Sequence, residues 1–164
     1  MISKSVLDSM NNQVMHELYS AYFYLSMSAH CESENLPGFA TWLRVQATEE
    51  QGHAMKFYEY ILDRGGKVTL QAISQPPSDF ASPLAIFQQV YEHEQKVTSL
   101  INAIYNVAVA EKDVASQIFL QWFINEQVEE EKNASQILDM LKKIGSSVGS
   151  LYQLDHQLGK RGGD

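Results

Sequence analysis

The chain has 164 residues, 45% apolar and 20% charged, a length and composition suited to one soluble globular domain. Twenty acidic residues against 12 basic ones leave a formal charge of −8, the wrong sign for a nucleic-acid surface and a favourable one for cations. No apolar run approaches the roughly 18 residues of a spanning helix, and the N-terminus lacks a secretory apolar region. A lone cysteine, Cys31, excludes an internal disulfide or a thiolate metal cluster. A cytoplasmic protein is expected, free of membrane and nucleic-acid partners, whose metals are held by oxygen and nitrogen.

Apolar residues recur at three and four between Gly/Pro breaks, so the fold class is all-α. The first helix is predicted from about Ser5 to Cys31, with Leu7, Met10, Val14, Leu18, Ala21 and Leu25 as its apolar stripe. Pro37 and Gly38 mark a sharp turn, and from Phe39 a second helix runs through Leu43, Ala47, Ala54, Phe57 and Ile61 to Gly65-Gly66. Residues 66–82, with Gln75-Pro76-Pro77-Ser78, read as a long connection able to carry the chain to the other end of a bundle, making helices two and three parallel. Ser82 caps and Pro83 begins helix three, lined by Phe87, Val90, Tyr91, Val97, Ile101 and Ile104. Asp113 caps helix four, which shows Leu120, Phe123, Ala134, Ile137 and Leu141 and stops at Gly145. A short amphipathic segment follows with Val148, Leu151, Leu154 and Leu158, and the tail Gly159–Asp164 is expected to fray. Residues 1–164 thus read as a single domain, a four-helix bundle over about 5–144 with a short fifth helix over about 147–159.

What interrupts each stripe carries the chemistry. Glu17 and Tyr24 fall at seven-residue steps from Met10, Glu50 lies between Leu43 and Phe57, Glu94 between Phe87 and Ile101, and Gln127 and Glu130 between Phe123 and Ala134. Four carboxylates turned into a bundle core repel one another and lose hydration, unless a cation or shared protons compensate. Glu50-Gln51-Gly52-His53 sets a carboxylate and an imidazole one turn apart, able to reach the same ion. Carboxylates plus imidazole suit iron or manganese better than copper(I), and zinc stays among the candidates. Taken singly, each glutamate also fits a solvated helix face, and the case rests on the coincidence of four. His16, His30, His93 and His156 are expected to be surface or hydrogen-bonded structural histidines. Glu49, Glu126 and Glu129 adjoin the inward set and read equally as a weaker cation site or as exposed charges.

Over essentially its whole length the chain resembles the non-haem bacterial and archaeal ferritins. The resemblance is carried by His16-Glu17-Leu18-Tyr19-Ser20-Ala21-Tyr22-Phe23-Tyr24-Leu25, Glu49-Glu50-Gln51-Gly52-His53-Ala54, Glu94, and Trp122-Phe123-Ile124-Asn125-Glu126-Gln127-Val128-Glu129-Glu130. It implies a ferritin-like four-helix bundle with a di-iron centre: Glu17, Glu50 and His53 on one iron, and bridging Glu50 with Glu94 and Glu130 on the other, Gln127 against them. It also implies a third iron site at Glu49, Glu126, Glu129 and Glu130, with Tyr24 as hydrogen-bond partner and electron donor. Haem-containing relatives carry a second Glu-x-x-His on helix four, where this chain has Gln127-x-x-Glu130. Gln51 and Gly52 stand where their haem methionine is expected, so no haem is anticipated.

The implied function is oxidation of Fe(II) by O2 or H2O2 and storage of ferric mineral in a hollow homo-oligomeric shell of twenty-four subunits. The alternatives are a non-storage di-iron or di-manganese oxidase or peroxidase on the same bundle, and a plain helical module indifferent to Glu50 and His53.

Overall fold

The structure, a computed structural model, describes residues 2–162. Among the described residues there are five helices: α1 (Lys4–Ser33), α2 (Pro37–Asp63), α3 (Pro83–Ala110), α4 (Val114–Ile144) and α5 (Val148–Leu158). Among the described residues there is no strand. Met1, Gly163 and Asp164, included in the expected domain and tail, lie outside the described residues.

Side-chain caps set most starts. Ser3 accepts from Val6 N, Ser82 from Ala85 N, Asp113 from Ser116 N and Ser147 from Ser150 N, each filling an otherwise unpaired first-turn N–H. α2 differs. Its N-cap position, Leu36, has no side chain to offer. Instead Asp155 of α5 accepts from Phe39 N at 2.9 Å, placing a buried carboxylate at the positive end of α2. The expected Pro-Gly turn is therefore corrected: Pro37 and Gly38 already lie inside α2, and Asn35, at φ 57°, makes the reversal. Gly38 is small because α5 crosses over it. A Cβ there stands 1.6 Å from the Asp155 carbonyl oxygen.

The expected stripes of α2, α3 and α4 are buried apart from half-buried Tyr91. That of α1 is rotated. Its buried row runs Val6, Met10, Gln13, Glu17, Ala21, Tyr24 and Cys31, while Leu7 and Leu18 are half-buried and Leu25 is 47% exposed. The polar residues at Gln13 and Glu17 mark the centre of the inward face, and Leu25 sits about 100° past Tyr24. Likewise in α5 Leu154 and Leu158 are buried, but Val148 points outward.

Residues 67–81 form no helix and return the chain the length of the bundle. Asn11 holds their start, donating to Lys67 O at 3.1 Å and accepting from Thr69 N at 2.7 Å. Two apolar clusters show the resulting topology. One joins the start of α1 to the ends of α2 and α3 and the start of α4, through Val6, Met10, Phe57, Ile61, Ile101, Ile104 and Leu120. The other joins the opposite helix ends and α5, through Met27, Phe39, Leu43, Phe87, Leu138 and Leu154. Hence α2 and α3 are parallel, as expected. Between the clusters lies a buried polar band.

Candidate metal centre

Each helix of the bundle delivers one carboxylate to that band: Glu17, Glu50, Glu94 and Glu130, all at most 5% exposed. One ligand atom each of Glu17, Glu50 and His53 lies within 4.8 Å of the others, and among the described residues this is the one such group of His, Cys, Asp or Glu side chains. His53 Nδ1 is 3.3 Å from Glu50 Oε2, the geometry that one turn of α2 allows. The imidazole packs edge-on against the adjoining Trp122 and Phe123 rings of α4.

Amides and a phenol hold the carboxylates. Gln13 Nε2 donates to Glu17 Oε1 at 2.7 Å, and Gln46 Nε2 donates to both Glu130 Oε2 at 2.8 Å and Glu50 Oε1 at 3.2 Å. Gln127 Nε2 donates to Glu94 Oε2 at 3.1 Å, and the Tyr24 hydroxyl donates to Glu94 Oε1. Thr98 supports this side: its hydroxyl accepts from Gln127 and donates to Glu131. Glu17 Oε2 has no partner at all, and among the described residues it is the sole buried side-chain oxygen or nitrogen in that state. An unpaired buried carboxylate oxygen is costly, and a cation supplies what it lacks.

Electrostatics say the same. Burial, then the neighbouring Glu50 charge, lifts the Glu17 carboxyl well above the usual range; burial, then Glu94 and Glu130, does so for Glu50. Burial raises Glu94 and Glu130 to about 7, against 4.5 ordinarily. Tyr24 is also raised, by burial and by Glu94, so its proton stays on the phenol. Raised pKa values favour protonation of these carboxyls in the metal-free state, and divalent cations are the other means by which such a cluster can be neutralised. All-oxygen donors with one imidazole and no sulfur match the preferences of iron and manganese.

The structure thus brings together Glu17, Glu50, His53, Glu94, Gln127, Glu130 and Tyr24. Glu49, Glu126 and Glu129 lie outside this cluster. Glu49 is exposed and paired with Arg161, Glu126 Oε1 reaches only to 4.0 Å from His53 Nε2, and Glu129 faces outward. Of the histidines set aside, His93 has a structural part: its Nε2 is 2.8 Å from Ser20 Oγ, its ring packs edge-on to Tyr24, and burial lowers it to about 4. His156 is exposed; His16 and His30 are half-buried.

Gln13, Gln46, Thr98 and Arg161 escape the sequence reading. The first two carry a signal, since each precedes a core glutamate by four residues and so shares its face. Arg161 carries none, and its placement corrects the expectation of a frayed tail as far as residue 161, Gly163 and Asp164 lying outside the described residues. Its guanidinium stacks 4.4 Å from the Trp42 ring centroid and donates to Gln46 Oε1 at 2.8 Å and to Glu49 Oε2 at 2.6 Å.

Residues 7–144 match the ferritin-like domain family. The chain is 42% identical to a bacterial non-heme ferritin of Bacteroides fragilis, over 98% of this chain and all of that one. It is 39% identical to one of Staphylococcus aureus, over 98% and 97%. A crystal structure of an open pore ferritin from the archaeon Archaeoglobus fulgidus superposes with a TM-score of 0.97 at 46% identity, covering 98% of this chain and 99% of that one. With the bundle, the crossover and the fifth helix all present, the chain belongs to the ferritin family.

Proposed function

We propose that this single-domain chain, residues 1–164, is an iron-storage protein with ferroxidase activity, acting in the cytoplasm within a homo-oligomeric shell of twenty-four subunits. The single observation that carries this reading is the set of four buried carboxylates around an unpartnered Glu17 oxygen, one from each long helix.

Iron is substrate and cargo here. Glu17, Glu50 and His53 hold one Fe(II), and Glu50, as bridge, with Glu94 and Glu130 holds the second. Binding releases the protons those carboxylates share in the metal-free state. The two ions then give one electron each to O2, which leaves as H2O2 after taking two protons; with H2O2 as oxidant, the same two electrons and two protons yield water. Tyr24 donates a hydrogen bond to Glu94 and, where one Fe(II) is missing, supplies the second of the two electrons in its place, its proton passing to Glu94. Gln127 keeps Glu94 oriented, and no haem takes part. Fe(III) leaves outward past Glu130 toward Glu49, Glu126 and Glu129, a weaker third site from which it passes to the mineral.

Metal-free protein is loaded with Fe(II) in air at many equivalents per subunit and run on size exclusion, with protein and Fe(III) detected together. Far more than a few iron atoms per subunit co-eluting with a very large assembly supports oxidation and storage. Fast oxidation with about two retained atoms on a small oligomer leaves a non-storage oxidase. No oxidation above that of Glu50→Ala protein overturns both.

A further inference from the structure

A chain of contacts joins the C-terminal tail to the metal centre. Asp155 caps α2, and α5 lies so close that a Cβ on Gly159 stands 3.2 Å from Gly38 Cα. That contact delivers Arg161 to the flank of α2, where Trp42 supports its guanidinium and Gln46 and Glu49 accept from it. Gln46 is fully buried. A guanidinium only donates, so it faces the amide oxygen; both amide contacts on the other side, Glu50 Oε1 and Glu130 Oε2, are carboxylate acceptors that need the NH2. The amide therefore has one orientation consistent with its neighbours, and Arg161 is what anchors its oxygen end.

We propose that Arg161 is a positioning residue of the metal centre, acting through Gln46 to hold the Glu50 and Glu130 carboxylates in the arrangement that receives a pair of divalent ions. This rests on the di-iron reading above. Two effects of the arginine oppose each other. Its positive charge disfavours cations nearby, but it is paired with Glu49 and partly in solvent, where such charge is strongly screened. Its hydrogen bond to the buried amide is direct and desolvated on the amide side. Positioning therefore outweighs repulsion, and loss of Arg161 weakens metal binding.

Co(II) tests this without redox chemistry. The full-length assembled protein, metal-free, is titrated with Co(II), following the visible d–d bands and competing against a chelator for affinity. Arg161→Ala is expected to bind Co(II) about five- to tenfold more weakly, the scale of one ordinary net hydrogen bond, with shifted or broadened bands. Arg161→Lys, with a donor but without the stacked fork, is expected to fall between, which separates positioning from a general failure of the tail to fold. In a Gln46→Met background Arg161→Ala should have no further effect on affinity. Unchanged or tighter Co(II) binding by Arg161→Ala, or full additivity with Gln46→Met, overturns the proposal while leaving the di-iron reading intact. Wild-type protein that takes up no Co(II) sensitive to Glu50→Ala sinks that reading and this proposal together.

Discussion

Glu49 and Glu50 are consecutive, chemically identical side chains with opposite circumstances. Glu50 is 2% exposed, faces Glu17, Glu94 and Glu130, and is held well above its ordinary pKa. Glu49 is turned 100° around the helix by about one residue's rotation, stands in solvent and has a cation for company. Helix phase alone separates them. A carboxylate in water needs no metal, whereas four dry carboxylates have no stable charged state without one, so the interior group is the one with a built-in demand for cations.

The strongest way to break that contrast is to remove Glu50, the carboxylate proposed as the bridge. Glu50→Ala is expected to lower Fe(II) oxidation on the order of 100-fold or more, measured by stopped-flow absorbance at two Fe(II) per subunit, a loss that includes the metal-holding role itself. An equal loss in Glu49→Ala protein makes the two positions equivalent and ends the distinction.

Proton linkage gives the second test. Glu94 and Glu130 titrate near 7 in the folded protein against 4.5 ordinarily, so between those values the native state holds more protons than the unfolded chain. Their contribution to stability is fully present below about 4.5 and is lost as pH rises through 7. Two groups run the other way: Asp113, lowered by Arg64 and Ser116, only below 3.8, and His93, lowered by burial to about 4, up to about 6.5, where it is one group against the four raised carboxyls Glu17, Glu50, Glu94 and Glu130. The thermal midpoint of metal-free protein should therefore fall from pH 5 to pH 8, and Zn(II) or Co(II) should abolish that fall. A midpoint rising over this range without metal contradicts the shared-proton account.

Undocking the tail sharpens the comparison, because it strips Glu49 of Arg161 without changing a residue of the centre. Gly38→Ala forces a methyl into the Asp155 backbone, and a cost of about 1–3 kcal/mol is expected, read as a lower thermal midpoint. Asp155→Ala removes the cap of α2 and should cost about 1 kcal/mol. At the weak end, Glu129→Gln on the exposed face of α4 should leave stability within about 0.5 kcal/mol, checked by the same melt. It should also leave the first two equivalents of Fe(II) oxidised at the wild-type rate, and a slowed first phase would place Glu129 in the interior function.

Much of this was legible along the chain because it is periodic. Glu17, Glu50, Glu94 and Glu130 stand out as charges at positions their own helices mark as apolar, and Ser82, Asp113 and Gly145 announce helix ends through local backbone chemistry. The α1 stripe differs from its expectation because Leu7, Leu18 and Leu25 are more apolar than Gln13, whereas the centre of the buried face is polar, at Gln13 and Glu17. Pro37 and Gly38 misled because a glycine made small by a crossing helix looks, in sequence, like a glycine needed for a turn.

The sequence by itself determined the helices, their order, the crossover that makes α2 and α3 parallel, and the inward carboxylates, since each depends on contacts within a few residues or on a repeating period. Tertiary structure alone decided the rest. That Asp155 caps a helix begun 118 residues earlier, at Pro37, and that Arg161 reaches Gln46 across a sequence separation of 115 follow from how α5 lies on α2. No local preference encodes such a contact, because its energy exists only once both partners are already folded.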